Sequence, residues 1–287
     1  MENGKKRETV NHAFIGACSM LSFTLLQPLD MIKVRMQLGQ GSGVQIASNM
    51  LKSEGGYAAF YKGFSATLIK VPLLNVARVG SHSIFATIAI EENAKYGITA
   101  GIMAWACRMP IELAQIRMQA DATFPTAHRR NYTNVFNALN RVIADEGVRA
   151  LWRGLGPTLA KDCVQANGTV LSYFPSYRYL KDSLGCGDTT SMIGASAISS
   201  FFGCGLSLPF DYVKTQLQTM QPDAYGKYPY TGLFDCARKT FKTGGIAKFY
   251  SGFYFYYFRL ASSMMMSWFV VKLLRPLDAS ISECSVK

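Results

Sequence analysis

PLDMIKVRMQ, residues 28–37, follows the uncharged run AFIGACSMLSFTLLQ and raises the question of why an apolar helix should end in a proline and spaced charges. The pattern returns twice, as PIELAQIRMQ (110–119) and PFDYVKTQLQ (209–218). A turn that contains an aromatic residue follows each copy and ends at Gly63, Gly154 and Gly252. Self-similarity of this kind indicates a repeat architecture. We predict three repeats, at residues 1–97, 98–188 and 189–287.

Each repeat reads as a long apolar helix, a proline-marked end, a short amphipathic helix, a turn and a second apolar helix. Uncharged or nearly uncharged runs cover residues 13–29, 189–210 and 249–271, and a spanning helix needs about 20 such residues. The mean hydropathy is only +0.10, too low for helices surrounded by lipid. We therefore predict an all-α membrane protein with six transmembrane helices around a pseudo-threefold axis, each helix with one face on a watery cavity.

The charge balance points to an anionic partner. The net charge is +12, yet no basic patch alternates with stacking aromatic residues, so we expect no nucleic-acid binding. The seven cysteines and three histidines show no metal, disulfide or catalytic spacing. We expect no enzyme activity, no cofactor and no metal. The basic N-terminus lacks the apolar core of a secretory signal, which leaves a small anionic metabolite and the membrane as the expected partners.

The tripled proline-acid-base pattern, with its aromatic-basic-glycine turns, resembles the mitochondrial carrier family over the whole chain. Residues 14–38, 129–158 and 208–218 are most similar to the 2-oxoglutarate/malate branch of that family. The resemblance implies a multi-pass protein of the inner mitochondrial membrane, monomeric by itself. It also implies an antiporter that exchanges small dicarboxylates, such as 2-oxoglutarate for malate, by alternating access.

The residues two, five and nine positions after each proline lie on one side of a helix. In the family, each such acid pairs with the base on the next odd-numbered helix and the glutamines brace the pairs, which closes a matrix gate. The resemblance implies the pairs Glu112–Lys214 and Asp211–Lys33. Asp30 would meet a glutamine, Gln115, and form only a hydrogen bond, while Arg108 could compete for Glu112. The predicted gate comprises Asp30, Lys33, Gln37, Glu112, Gln115, Gln119, Asp211, Lys214 and Gln218, with helix kinks at Pro28, Pro110 and Pro209.

The residue seven positions after each marker glycine is a cation: Lys70, Lys161 and Arg259. Charges inside membrane segments are costly and normally face a cavity or a partner, so three of them predict a site for an anion of about two charges. The resemblance places substrate binding at these three and at Arg78; Gln165 and Ser263 continue the same stripes. Asp162 departs from the branch pattern and either binds a substrate ammonium or neutralises Lys161.

The aromatic-basic-glycine turns hold cardiolipin in the family, and the predicted lipid contacts are Lys62, Gly63, Trp152, Arg153, Gly154, Tyr250 and Gly252. The cytoplasmic gate positions of the family contain no acid here; they are Ser83, Ala86, Phe174, Tyr177, Lys272 and Arg275. Incomplete gates leave two alternatives open. The chain could be a structural accessory subunit of a larger inner-membrane complex, or a carrier for an amino acid or a longer oxodicarboxylate.

Overall fold

The computed structural model describes residues 2–73, 93–125, 129–222 and 227–284. Six of the helices are long, and we count these six separately in chain order. The first, third and fifth, called odd-numbered below, are α1 (Glu2–Gln37), α4 (Asn93–Ala120) and α7 (Asp188–Thr219). The second, fourth and sixth long helices, called even-numbered below, are α3 (described over residues 64–73), α6 (Leu155–Arg178) and α9 (Phe253–Cys284). Short helices between them are α2 (Gly43–Ser53), α5 (Val135–Glu146) and α8 (Leu233–Phe249). No strand occurs in these ranges, so the predicted threefold all-helical repeat is confirmed.

The long helices pack against one another. Helix α7 lies between α6 and α9, and α1 packs against α9. Helices α1, α4 and α7 also contact one another. Pro28, Pro110 and Pro209 lie inside these three helices, at equivalent places. This arrangement brings the segments that follow the prolines together, which is the condition for a gate.

The short helices are amphipathic, and their caps fix where they begin. The Ser42 hydroxyl accepts a hydrogen bond from the Gln45 amide, while the Gln45 side chain accepts one from the Ser42 backbone, forming a capping box at the start of α2. The Asn134 side chain caps α5 in the same position. Helix α2 buries Ile46 and Met50, four residues apart, so one face packs against the end of α1.

Arginines on the odd-numbered helices clamp two of the short helices. Arg35, 1% exposed, donates two 2.7 Å hydrogen bonds to Glu54, just beyond the end of α2. Arg117 makes the same bidentate contact with Glu146 at the end of α5. Arg153 donates to Glu146 at 2.7 Å. Burial alone would raise the pKa of the Glu146 carboxyl, but Arg117, Arg153 and Arg130 together lower it below its ordinary value.

The third repeat has lost this clamp as a unit. Gln216 replaces the arginine, Gly244 replaces the glutamate and Ser251 replaces the basic residue of the turn. The Gln216 amide donates to the Gln37 carbonyl at 2.8 Å, and the Ser251 hydroxyl donates to the Met36 carbonyl at 3.0 Å. Neutral hydrogen bonds from Gln216 and Ser251 to the end of α1 thus replace the ions, so that none of the three substituted positions carries a charge that would need a partner.

Among the helices of the described ranges, only α7 is long and apolar enough to cross a membrane on composition alone. Helix α1 has three charged residues after Pro28, and α4 has three between positions 108 and 117; they serve the clamps described above and the central cluster described below. The six-helix assignment therefore rests on the repeat and not on hydropathy.

Replacing Glu146 by glutamine tests the clamp. Arg117 would remain 4% exposed without its carboxylate, and a buried charge without a partner costs about 3 kcal/mol of unfolding free energy. We expect a lower melting temperature for the detergent-solubilised protein. The matched control is Asp235→Asn, because Asp235 forms an exposed pair with Lys239 on α8. The control variant should have the melting temperature of the wild type. An equal decrease of melting temperature in both variants would contradict the clamp.

Candidate functional site

Two ion pairs join the odd-numbered helices, as the family resemblance implies. Lys33 of α1 contacts Asp211 of α7, and Lys214 of α7 contacts Glu112 of α4. All four side chains are less than 10% exposed, with exposures of 8% and 5% in the first pair and 4% and 6% in the second. The Gln37 amide also donates to Asp211 at 2.8 Å. A chain of buried contacts thus connects α1, α7 and α4.

The third link differs from the prediction. Gln115 does not hydrogen-bond to Asp30; its amide donates to the Thr67 hydroxyl at 3.0 Å. Asp30 instead pairs with Arg259 of α9, with 2.6 Å between Arg259 Nε and Asp30 Oδ1. The expectation that Asp30 lacks an ionic partner is therefore wrong. A neutral amide compensates a partly buried carboxylate poorly, and the long arginine side chain reaches it from an even-numbered helix.

Of the three glutamines predicted to brace the pairs, Gln37, Gln119 and Gln218, only Gln37 binds a gate acid among the described residues. Both polar side-chain atoms of Gln218 are buried and have no hydrogen-bond partner in the described part of the chain, and the same holds for Gln119 Nε2. Gln218 is a packing contact instead: a Cβ on Gly154 would lie 2.9 Å from Gln218 Cγ. Gly154 has a φ of +88°, a conformation that side chains rarely adopt. The glycine therefore lets α6 begin directly against α7.

Arg108 binds two acids at once. Its guanidinium contacts Glu112 at 2.9 Å and Asp162 of α6 at 2.9 Å. Arg108 does not displace Lys214, because each binds a different oxygen of Glu112. The sequence pattern marked Arg108 only as a competitor for Glu112. The sequence did contain a signal for this double contact. Arg108 lies four residues before the gate acid Glu112, and the next even-numbered helix carries an acid, Asp162.

The three even-helix cations lie beside the gate acids of the following repeat. Lys161 is 3.5 Å from Asp162 and 3.6 Å from Asp211, and Arg259 binds Asp30. Lys70 interacts electrostatically with Glu112 and Asp30, but forms no ion pair within the described residues. The predicted substrate residues and the predicted gate residues therefore form one cluster instead of two layers.

This central cluster carries more basic than acidic side chains. Its six cations are Lys33, Lys70, Arg108, Lys161, Lys214 and Arg259, and its four carboxylates are Asp30, Glu112, Asp162 and Asp211. The described part thus has an excess of two positive charges. Charge of one sign in a site shielded from water attracts a ligand of opposite charge.

Tyr256 of α9 supports the cluster and was missed by the sequence pattern. The Lys33 ammonium lies 4.1 Å from the centre of the Tyr256 ring, a cation–π distance. The Tyr256 hydroxyl donates to Gln165 Oε1 at 2.6 Å, so Gln165 has a partner within the protein. Ser263 lies two turns further along α9 and is partly buried. Tyr256 lies four residues after its marker glycine, where the other repeats have Thr67 and Thr158.

Other predicted positions lie around this cluster or outside the description. Lys62 is 3.9 Å from Glu54, and Trp152 and Tyr250 are 41% and 39% exposed. Near the far end of α6, Tyr177 donates to Asp188, so an acid that the pattern did not include lies beside that cytoplasmic-gate position. Arg78, Ser83 and Ala86 lie outside the described residues, and the side chains of Lys272 and Arg275 are likewise outside the description.

Comparison with known proteins agrees with this architecture. The family model described as mitochondrial carrier protein matches residues 5–93, 88–185 and 187–277. A mitochondrial dicarboxylate/tricarboxylate transporter of Arabidopsis thaliana is 52% identical over 263 residues, which cover 88% of each chain. A putative mitochondrial 2-oxoglutarate/malate carrier of Neurospora crassa is 35% identical over 88% of this chain and 82% of its own. The mitochondrial 2-oxoglutarate/malate carrier of Bos taurus is 33% identical over 92% and 90%. With three family repeats across its length and a central ion-pair cluster between them, the chain belongs to the mitochondrial carrier family and is a multi-pass protein of the inner mitochondrial membrane.

Proposed function

We propose that the chain is an antiporter that exchanges small dicarboxylates, 2-oxoglutarate for malate, across the inner mitochondrial membrane. The observation that carries the proposal is the excess of two positive charges in the central cluster. That excess matches the charge of a dicarboxylate at neutral pH. The relatives named for dicarboxylate and 2-oxoglutarate/malate transport support the same substrate class.

The formed ion pairs describe one state of an alternating-access cycle. Lys33–Asp211 and Lys214–Glu112 close the space between the proline-containing helices on what we propose is the matrix side. A substrate carboxylate that attracts Lys161 or Arg259 competes with these gate acids. Because substrate and gate share their cations, binding shifts the balance between closed and open states.

The position of Asp162 argues against an amino-acid substrate. Its two oxygens face Arg108 at 2.9 Å and Lys161 at 3.5 Å, so cations of the protein already occupy the place that a substrate ammonium would take. Of the two roles open to Asp162, neutralisation of neighbouring cations fits these contacts. A purely structural role in a larger complex is not favoured, because it gives no reason to retain an excess of buried charge.

The aromatic-basic-glycine turns remain proposed cardiolipin sites. Marker glycines at 63, 154 and 252 precede the even-numbered helices, whose first backbone N–H groups suit a phosphate. Exposed Trp152 and Tyr250 suit the membrane interface. Lys62, 46% exposed, remains accessible to a lipid phosphate despite its contact with Glu54.

Counter-exchange in liposomes tests the proposal. Purified protein in vesicles loaded with malate should take up labelled 2-oxoglutarate, and empty vesicles should not. External malate should compete with the label, whereas aspartate should not, because Asp162 is occupied. Citrate tests whether a third negative charge is accepted. Absence of malate-dependent uptake by folded protein would refute the proposal, and competition by aspartate would favour the amino-acid alternative.

Lys70 and Lys161 offer a matched pair that separates transport from stability. Lys161 contacts two acids, whereas Lys70 has no ion pair within the described residues. We expect Lys70→Gln to lower the exchange rate by about 100-fold, equivalent to about 3 kcal/mol of activation free energy, because it removes one of the two excess charges. The melting temperature should not fall. Lys161→Gln should lower both. Equal destabilisation by the two substitutions would contradict this assignment.

A further inference from the structure

Asp30 occupies the one gate position that has no base on the neighbouring odd-numbered helix. In the other repeats that base is Lys33 or Lys214, whereas the equivalent residue on α4 is Gln115. The Gln115 amide is turned towards Thr67. Within the described ranges, Asp30 has one cation at ion-pair distance, Arg259 at 2.6 Å. The gate is therefore complete only if Arg259 is counted as its third base.

Arg259 differs in this respect from its two counterparts. Lys161 is 3.6 Å from Asp211, but Lys33 and the Gln37 amide hold the other oxygen of that carboxylate. Lys70 makes no ion pair within the described residues. Among the described residues, the gate acids beside Lys70 and Lys161 are also paired with a gate base. The gate acid beside Arg259, Asp30, is not.

We propose that Arg259 serves both as the third base of the matrix gate and as a ligand of a substrate carboxylate, so that substrate binding itself removes this gate link. The inference rests on the function proposed above. A guanidinium has five donors in a planar fork and forms paired hydrogen bonds with a carboxylate. Arg259 and Asp30 form a close ion pair, but Arg259 Nε has no hydrogen-bond partner among the described residues, so a substrate carboxylate in the cavity can offer the paired hydrogen bonds that Asp30 does not.

Loss of Arg259 leaves Asp30 without a cation at ion-pair distance among the described residues. The Asp30 side chain is 16% exposed in the closed arrangement, and a largely buried carboxylate without a partner is unfavourable. Water must then reach Asp30, which requires α1 to separate from its neighbours. Binding at Arg259 and opening beside Asp30 are consequently linked steps.

Gln115→Lys tests this link in the liposome exchange assay. The new lysine stands where Lys33 and Lys214 stand in the other repeats, so it should bind Asp30 and release Arg259 to the substrate. We expect the KM for 2-oxoglutarate to fall at least threefold. The maximal exchange rate should also fall, because a third ion pair between odd-numbered helices must now break in every cycle.

Two comparisons show whether these effects arise through Asp30. In an Asp30→Asn background, Gln115→Lys should lower neither KM nor maximal rate. Gln115→Met gives a side chain of similar length to lysine without its charge, and it should not lower KM. If the Asp30→Asn protein does not fold, Gln115→Met is the control by itself. Wild-type kinetics in Gln115→Lys would overturn the proposal. Undiminished effects in the Asp30→Asn background, or a lower KM in Gln115→Met, would overturn it as well.

A second arm needs no substrate. Melting temperatures of Asp30→Asn, Arg259→Gln and the double variant are measured in detergent, and the proposal predicts that the double variant melts no lower than the less stable single variant. Additive losses would overturn the pair. If the wild type exchanges no dicarboxylate, the proposed function fails, while this arm still decides whether Arg259 and Asp30 act together.

Discussion

Buried carboxylates between helices need cations, and this requirement organises the protein. Asp30, Glu112 and Asp211 follow the prolines of three long helices, and each is matched by a cation from another repeat. Because breaking such a pair leaves a charge in a poorly hydrated place, the pairs hold the helix ends together. The same requirement explains why the third repeat lost its peripheral arginine and glutamate together, with Gln216 and Gly244 in their places.

The surplus of cations turns this framework into a transport site. If every base served only an acid, the cluster would be a closed structural network. Lys70 has no ion pair within the described residues, and Arg108 and Lys161 each serve two acids. An arriving dianion balances the surplus and weakens the bonds that close the gate. Binding and gating therefore use the same side chains, so transport needs no separate trigger.

Much of this could be predicted from the sequence because the chain repeats. Three copies of a proline-acid pattern fixed the helical faces, and the pairs Glu112–Lys214 and Asp211–Lys33 followed from the family resemblance. The Asp30–Arg259 contact could not be predicted in this way, because helical phase says which face a residue occupies but not how far a long side chain reaches along the axis. The Arg35–Glu54 and Arg117–Glu146 clamps were missed although their signal was present: arginine and glutamate recur together in two repeats and are absent together from the third.

The central claim is that the cluster recognises an anion through two excess positive charges. The most direct measurement compares 2-oxoglutarate with its 5-methyl ester, which keeps the open keto-acid chain but has one charge fewer, by the melting temperature of the purified protein. Half-maximal stabilisation by the half-ester should need an at least about tenfold higher concentration than that by the dianion, a difference of about 1.4 kcal/mol. Stabilisation by both compounds at the same concentration would contradict this claim.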